Sequence, residues 1–175
     1  MKRILPSLAL LLGLCTALPV RAGAPLSGVP GRWTDDRGVT ASLAQYRGKT
    51  VLLTMAYTTC RRLCPLSLNK LEEMQRDADQ AGRPIEVLVI SYDPKNDTPA
   101  SWAALRRQRG LNRPNWHFLT GDEAGTKAIA AWLGVADFWS LDGHVMHDFR
   151  IAVVDERGNL QRQVNWDELK TPVSW

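Results

Sequence analysis

Apolar and polar positions change period several times along the chain, and each change marks an element. Residues 50–57 form an unbroken apolar, β-rich run introduced by Gly48-Lys49, the pattern of a strand buried on both faces. After Thr58-Thr59-Cys60-Arg61-Arg62-Leu63-Cys64-Pro65, the residues Leu66, Leu68, Leu71 and Met74 recur at helical spacing. That spacing predicts a helix to about Ala81, opened with Pro65 in its first turn and ended by Gly82 and Pro84. Residues 85–92 are a second apolar strand. The turn formers of residues 93–99 follow, with Asp97 or Thr98 as cap of a helix that runs through Trp102 and Leu105 to Gly110. Residues 116–119 read as a short strand and 122–133 as a helix. Residues 149–154 and 160–164 form a hairpin around Glu156-Arg157-Gly158-Asn159, and 166–170 begin a short last helix. Upstream, residues 34–40 make a small hairpin that turns on Asp36-Arg37-Gly38.

Strand and helix alternate and a hairpin closes the chain, which gives an α/β domain with a central mixed sheet flanked by helices. The order of elements is that of a thioredoxin-like fold. No repeat or low-complexity linker divides residues 32–175, so one domain is expected, with the Gly/Pro-rich residues 23–31 as a flexible lead-in.

The first 22 residues change the expected compartment. Lys2 and Arg3 precede an apolar run at residues 8–14, and the segment closes on Val20-Arg21-Ala22, the layout of a cleavable secretory signal. The run is too short for a permanent membrane span, and Leu14 stands before Cys15 where lipid modification wants a small residue. A diffusible, monomeric periplasmic protein is expected. Removal of Lys2, Arg3 and Arg21 would reduce 22 basic residues to 19 against 18 acidic ones, leaving no basic stripe for nucleic acid.

Only Cys60 and Cys64 outlive that signal. They sit where a buried strand meets a helix, the end of an open α/β sheet at which ligands gather. A helix N-terminus together with Arg61 and Arg62 favours thiolate in at least one of them. If the stretch is helical, four residues are one turn and both sulfurs face the same way, able to hold a soft ion or to close into a disulfide. A purely structural disulfide would close a very small loop, which removes little chain entropy from a domain of about 150 residues. Zinc would call for more cysteines or histidines than His117, His144 and His147 supply, and copper suits two thiolates and an imidazole better.

Three ordered stretches carry a resemblance. They are Ala56-Tyr57-Thr58-Thr59-Cys60-x3-Cys64-Pro65, then Val89-Ile90-Ser91-Tyr92-Asp93-Pro94 with Asp97-Thr98-Pro99, then the run from His147-Asp148-Phe149 to Arg157-Gly158. Across roughly residues 32–165 the chain resembles the Sco/SenC family. The resemblance implies a thioredoxin-like copper protein that binds Cu(I) or Cu(II) through Cys60, Cys64 and His147. Its partners would be the copper-receiving subunit of cytochrome oxidase, or a related copper enzyme, and a thiol reductant. It also implies a redox role for Cys60 and Cys64 on a partner's disulfide, and Asp93 as an acceptor beside the site.

Counting back from Gly158 selects His147, leaving His144 in a loop after Asp142-Gly143, Met146 as packing or an extra soft donor, and His117 as a structural residue. Arg61 and Arg62 stand where the family often has Pro and Asp. Their charge favours thiolate and an acidic docking partner and opposes a bound cation, which keeps a thiol-disulfide reductase as the alternative function. A thiol peroxidase is disfavoured because its Pro- and Thr-rich nucleophile loop is missing.

Overall fold

A computed structural model of the chain describes residues 23–61, 63–135, 139–141, 144–146 and 148–171. Nine strands and three α-helices lie among them. In chain order they are β1 (Trp33–Asp35), β2 (Thr40–Ala41), β3 (Thr50–Ala56), α1 (Leu63–Gln80), β4 (Ile85–Ser91), α2 (Pro99–Arg109), β5 (Trp116–Gly121), α3 (Glu123–Trp132), β6 (Trp139–Leu141), β7 (His144–Met146), β8 (Ile151–Val154) and β9 (Leu160–Val164). Seven strands form one sheet in the order β2-β1-β5-β4-β3-β8-β9, while β6 and β7 pair separately.

The centre of that sheet is parallel: β3 pairs with β4 and β4 with β5. β8 runs antiparallel to β3, and β1 antiparallel to β5. Parallel strands covered on both faces need apolar residues at nearly every position, which is why the 50–57 and 85–92 runs do not alternate. Successive residues of β5 point to opposite faces. On one face Trp116 Nε1 donates to Gln75 of α1 at 3.2 Å, and the Phe118 ring lies 5.3 Å from that of Trp102 in α2. On the other, the His117 ring lies 5.3 Å from Tyr46. The sheet is therefore mixed and flanked by helices, the expected α/β, thioredoxin-like arrangement.

Each helix has a sequence reason for its bounds. In α1 the buried stripe is Leu68, Leu71, Met74 and Ala78, while Leu66 falls off it and is 41% exposed. Thr98 caps α2: its side chain accepts from Ser101 N while Ser101 Oγ accepts from Thr98 N, with Pro99 at the first helical position. Gly110 ends α2 at φ 69°, a left-handed conformation that glycine adopts without steric cost. Asp122 caps α3 by accepting from Gly125 N.

Two expectations change. The lead-in is packed rather than loose, with Leu26 and Val29 buried, Leu26 N donating to Gly158 O at 2.7 Å, and Trp132 Nε1 donating to Ala24 O at 2.7 Å. His144 opens β7, opposite Leu141, instead of lying in a loop. At the other end of the chain, Lys70 is buried on α1 and its Nζ donates to Glu73 Oε1 and Thr171 O, both at 2.8 Å. Among the described residues no helix is long and apolar enough to cross a membrane.

Candidate functional site

Because β3, β4 and β5 run the same way, their carboxyl ends gather at one end of the sheet. β3 stops at Ala56, whose carbonyl accepts from Tyr92 N at 2.9 Å and so carries the pairing with β4 one residue further. The chain then turns: Cys60 N donates to Tyr57 O at 3.1 Å, and α1 begins three residues later. Cys60 therefore precedes the helix and Cys64 lies in its first turn, so the two are not one helical turn apart. They still meet. Cys64 N donates to Cys60 Sγ at 3.4 Å, satisfying one of the N–H groups that a helix leaves open at its start.

The two are thiols, not joined in a disulfide; Cys60 is half-buried and Cys64 is 3% exposed. The hydrogen bond with Cys60 pushes the Cys64 thiol well above the ordinary range, and burial adds to the shift. The thiolate tendency expected at this helix start therefore does not extend to Cys64, where the hydrogen bond with Cys60 and then the loss of water outweigh the dipole. Arg61 is exposed beside the pair, and Arg62 lies outside the described residues.

A buried carboxylate supports the turn from behind. Asp97, 3% exposed, accepts from Thr58 N at 2.9 Å and Thr58 Oγ1 at 2.6 Å through Oδ1, and from Ser91 Oγ at 2.6 Å through Oδ2. Burial raises its pKa despite these bonds, which pull the other way. Asp93, expected to be the acceptor here, has both carboxylate oxygens bonded by Asn96 Nδ2 at 3.0 and 2.8 Å, and its backbone carbonyl accepts from Asn96 N. It forms the turn, and Asp97 is the carboxylate against the cysteine loop. The sequence held one signal for this. Pro99 at the first helical position makes Thr98 the cap and leaves the Asp97 side chain without a helix to serve.

The third side of the site is the approach to β8. Thr54 of β3 pairs with Ile151, and its Oγ1 donates to Arg150 O at 2.7 Å, so residues preceding β8 reach the same end of the sheet. Tyr92 links them to the cysteines electrostatically: burial raises its pKa, Cys64 and Asp148 raise it further, and Arg150 opposes them. Phe149 is buried beneath Trp166, with ring centroids 5.7 Å apart. His147, the expected third ligand, lies outside the described residues.

His117 is accounted for elsewhere. Its Nε2 lies 2.7 Å from Glu86 Oε2, and Lys49 Nζ reaches Glu86 Oε1 at 2.6 Å, on the sheet face away from α1 and α2. Among the described residues no three His, Cys, Asp or Glu side chains come together in a way that could hold a metal ion. What they bring together is two sulfur donors, one accessible and one buried. Such a pair can attack a disulfide, close into one, or supply part of the shell of a soft cation.

The model of the SCO1/SenC family matches residues 23–173. A Bacillus subtilis SCO1 protein homolog is 22% identical over 139 residues, covering 78% of this chain and 72% of that protein. Bradyrhizobium japonicum ScoI, solved with copper bound, superposes with a TM-score of 0.66 at 27% identity, over 86% of this chain and 91% of that one. BsSco, described as having a disulfide switch and as a member of the Sco family of cytochrome c oxidase assembly proteins, superposes with a TM-score of 0.69 at 21% identity. That match covers 85% of this chain and 88% of BsSco.

Proposed function

The chain belongs to the SCO1/SenC family, and from that premise we propose that it is an exported, periplasmic copper carrier acting through Cys60, Cys64 and His147. It would deliver copper to, or prepare, the copper centre of a cytochrome c oxidase or a related copper enzyme. The observation that carries this reading is the pair itself. Cys64 N–H points at Cys60 Sγ over 3.4 Å where β3 meets α1, so two soft donors stand together, one on a half-buried residue and one on a buried residue. Copper bound to the Bradyrhizobium relative supports the choice of metal, and the description of BsSco supports the choice of recipient.

The donor set fits Cu(I), for which thiolates and an imidazole are preferred ligands. Loading requires Cys64 to give up its proton, since the thiolate is the ligand. Substituting His147→Ala is expected to weaken Cu(I) and Cu(II) binding by about tenfold or more, the loss of one ligand among three. The measurement is titration of the reduced protein against a competing chelator. Unchanged affinity together with unchanged metallation of the recipient would sink the ligand assignment.

A second reading, a thiol-disulfide reductase, is favoured by the contrast between an accessible Cys60 next to Arg61 and an enclosed Cys64. The Cys60 thiolate would attack one sulfur of a partner's disulfide, forming a mixed disulfide and releasing the other as thiolate. Cys64 would then transfer its proton to that thiolate and attack Cys60 Sγ. The partner leaves with one thiol and one thiolate, the latter taking a proton from water, and the Cys60–Cys64 disulfide waits for two electrons and two protons from a thiol reductant. This chemistry does not need His147, so the same variant separates the readings.

A further inference from the structure

We infer that Asp97 is a positioning residue for the Cys60–Cys64 pair: it ties the turn carrying Cys60 to the ends of β4 and β5 and thereby sets how the two sulfurs face each other. The inference rests on the reading of these cysteines as the working centre.

A carboxylate taken out of water needs donors, and Asp97 has three from two neighbouring strand ends. Thr58, two residues before Cys60, gives it both its N–H and its hydroxyl, and Ser91 at the end of β4 gives its hydroxyl. Ser91 Oγ in turn accepts from Asp93 N at 2.9 Å. The main chain of Asp97 is equally fixed. Its N–H donates to Asp93 O at 2.9 Å, and its carbonyl accepts from Thr120 Oγ1 at 3.0 Å. Thr120 Oγ1 accepts from Trp102 Nε1 at 3.0 Å, and Trp102 is fully buried in α2. Asp97 thus stands between a rigid scaffold of β4, β5 and α2 and a short turn whose other anchors are Cys60 N to Tyr57 O and Cys64 N to Cys60 Sγ.

The helix does not require this side chain, because Thr98 and Ser101 complete the cap of α2. The arrangement described is that of the dithiol. A clamp formed in the dithiol stabilises it relative to the disulfide, so releasing the clamp should favour oxidation. The Asp97 charge could act on the thiols independently of position, and Asp97→Asn separates the two effects. The amide oxygen of that variant would still accept from both Thr58 donors, and its NH2 group could donate to a rotated Ser91 hydroxyl, yet the side chain carries no charge.

The test is the equilibrium of the protein with reduced and oxidised glutathione, quenched by alkylation. Asp97→Ala is expected to shift the constant toward the disulfide by about tenfold. Asp97→Asn should remain within about threefold of wild type, because the hydrogen bonds to Thr58 are retained. If Asp97→Ala fails to fold cooperatively, Thr58→Val removes one bond of the clamp and should shift the constant in the same direction, by about threefold. Equal constants for wild type and Asp97→Ala, or for wild type and Thr58→Val where Ala does not fold, overturn the inference. A shift in Asp97→Asn as large as in Asp97→Ala overturns it too, since charge would then be the cause. A wild-type protein that forms no disulfide with glutathione overturns the inference and the reductase reading, while the copper reading stands or falls on the chelator titration.

Discussion

Cys60 and Cys64 are chemically identical side chains made different by a single turn of chain. Cys60 comes before the first residue of α1 and keeps part of its surface in water, whereas Cys64 is enclosed, with its own backbone N–H engaged by the Cys60 sulfur. Alkylation requires an accessible thiolate, and Cys64 lacks access and holds its proton. Brief treatment of the reduced protein with iodoacetamide at mildly alkaline pH should therefore label Cys60 at least about tenfold faster than Cys64. Peptide mass spectrometry at a series of times reads the ratio directly, and equal rates would contradict the asymmetry. The residue scale also shows why Asp97 is harder to find than the cysteines. Cysteine spacing is visible in one dimension, while the role of a carboxylate depends on which strand ends it faces, and Ser91, Thr58 and Thr120 come from three separate stretches. Asp93 draws attention because it directly follows an apolar run, yet Asn96, three residues on, occupies its oxygens.

Most elements were legible because their signals are local. The β3, β4 and α1 patterns are long, and the predicted helix bounds at Pro65, Gly82, Thr98 and Gly110 rest on local chemistry. The β8–β9 turn is of this kind: Asp155 Oδ1 accepts from Arg157 N and Asn159 N, and Gly158 N donates to Asp155 O. What could not be read locally is that this turn receives another element. Gly158 has φ 86°, and a Cβ added there would lie 3.2 Å from Pro25 Cβ and 3.3 Å from Leu26 N. Gly38 has a similar φ of 80° but faces open space. Ala at either position meets the left-handed backbone penalty of roughly 1–2 kcal/mol. At Gly158 the methyl must also push back the segment whose Leu26 N–H it borders, threatening a hydrogen bond worth about 0.5–1.5 kcal/mol. Gly158→Ala is thus expected to destabilise the protein by roughly 1 kcal/mol more than Gly38→Ala. Urea unfolding of the two variants side by side measures the difference, and equal midpoints would show that the docked segment yields without cost.

Across the whole molecule the two ends of the sheet have separate duties. The carboxyl ends of β3 and β4 and the start of β8 carry the cysteines, Tyr92, Asp97 and the approach from Asp148. The Lys49–Glu86–His117 group belongs to the first part of β4 and faces the layer that holds Tyr46. The alternating pattern was enough to expect this polarity, since parallel strands joined by helices must start at one end and finish at the other. It was not enough to place residues 23–31, whose prolines and glycines give no period and read as a linker. Their contribution is tertiary. Leu26 and Val29 are 2% and 6% exposed, Leu26 N bonds Gly158 O, Trp132 Nε1 bonds Ala24 O, and Arg47 Nε bonds Ser27 Oγ. Burying two such side chains stabilises by about 1.5–3 kcal/mol each, with smaller additions from the hydrogen bonds. Against a typical total of about 5–15 kcal/mol, a chain shortened by residues 23–30 should lose a third or more of its stability. A flexible lead-in would lose almost nothing. Urea unfolding followed by tryptophan fluorescence distinguishes these outcomes. Because Trp132 and the Gly158 turn lie away from the cysteines in sequence and anchor different elements, iodoacetamide labelling of Cys60 under native conditions should be unchanged in the shortened protein. Loss of stability with retained thiol behaviour would assign the segment to the scaffold, and loss of both would mean that the sheet transmits its docking to the far end.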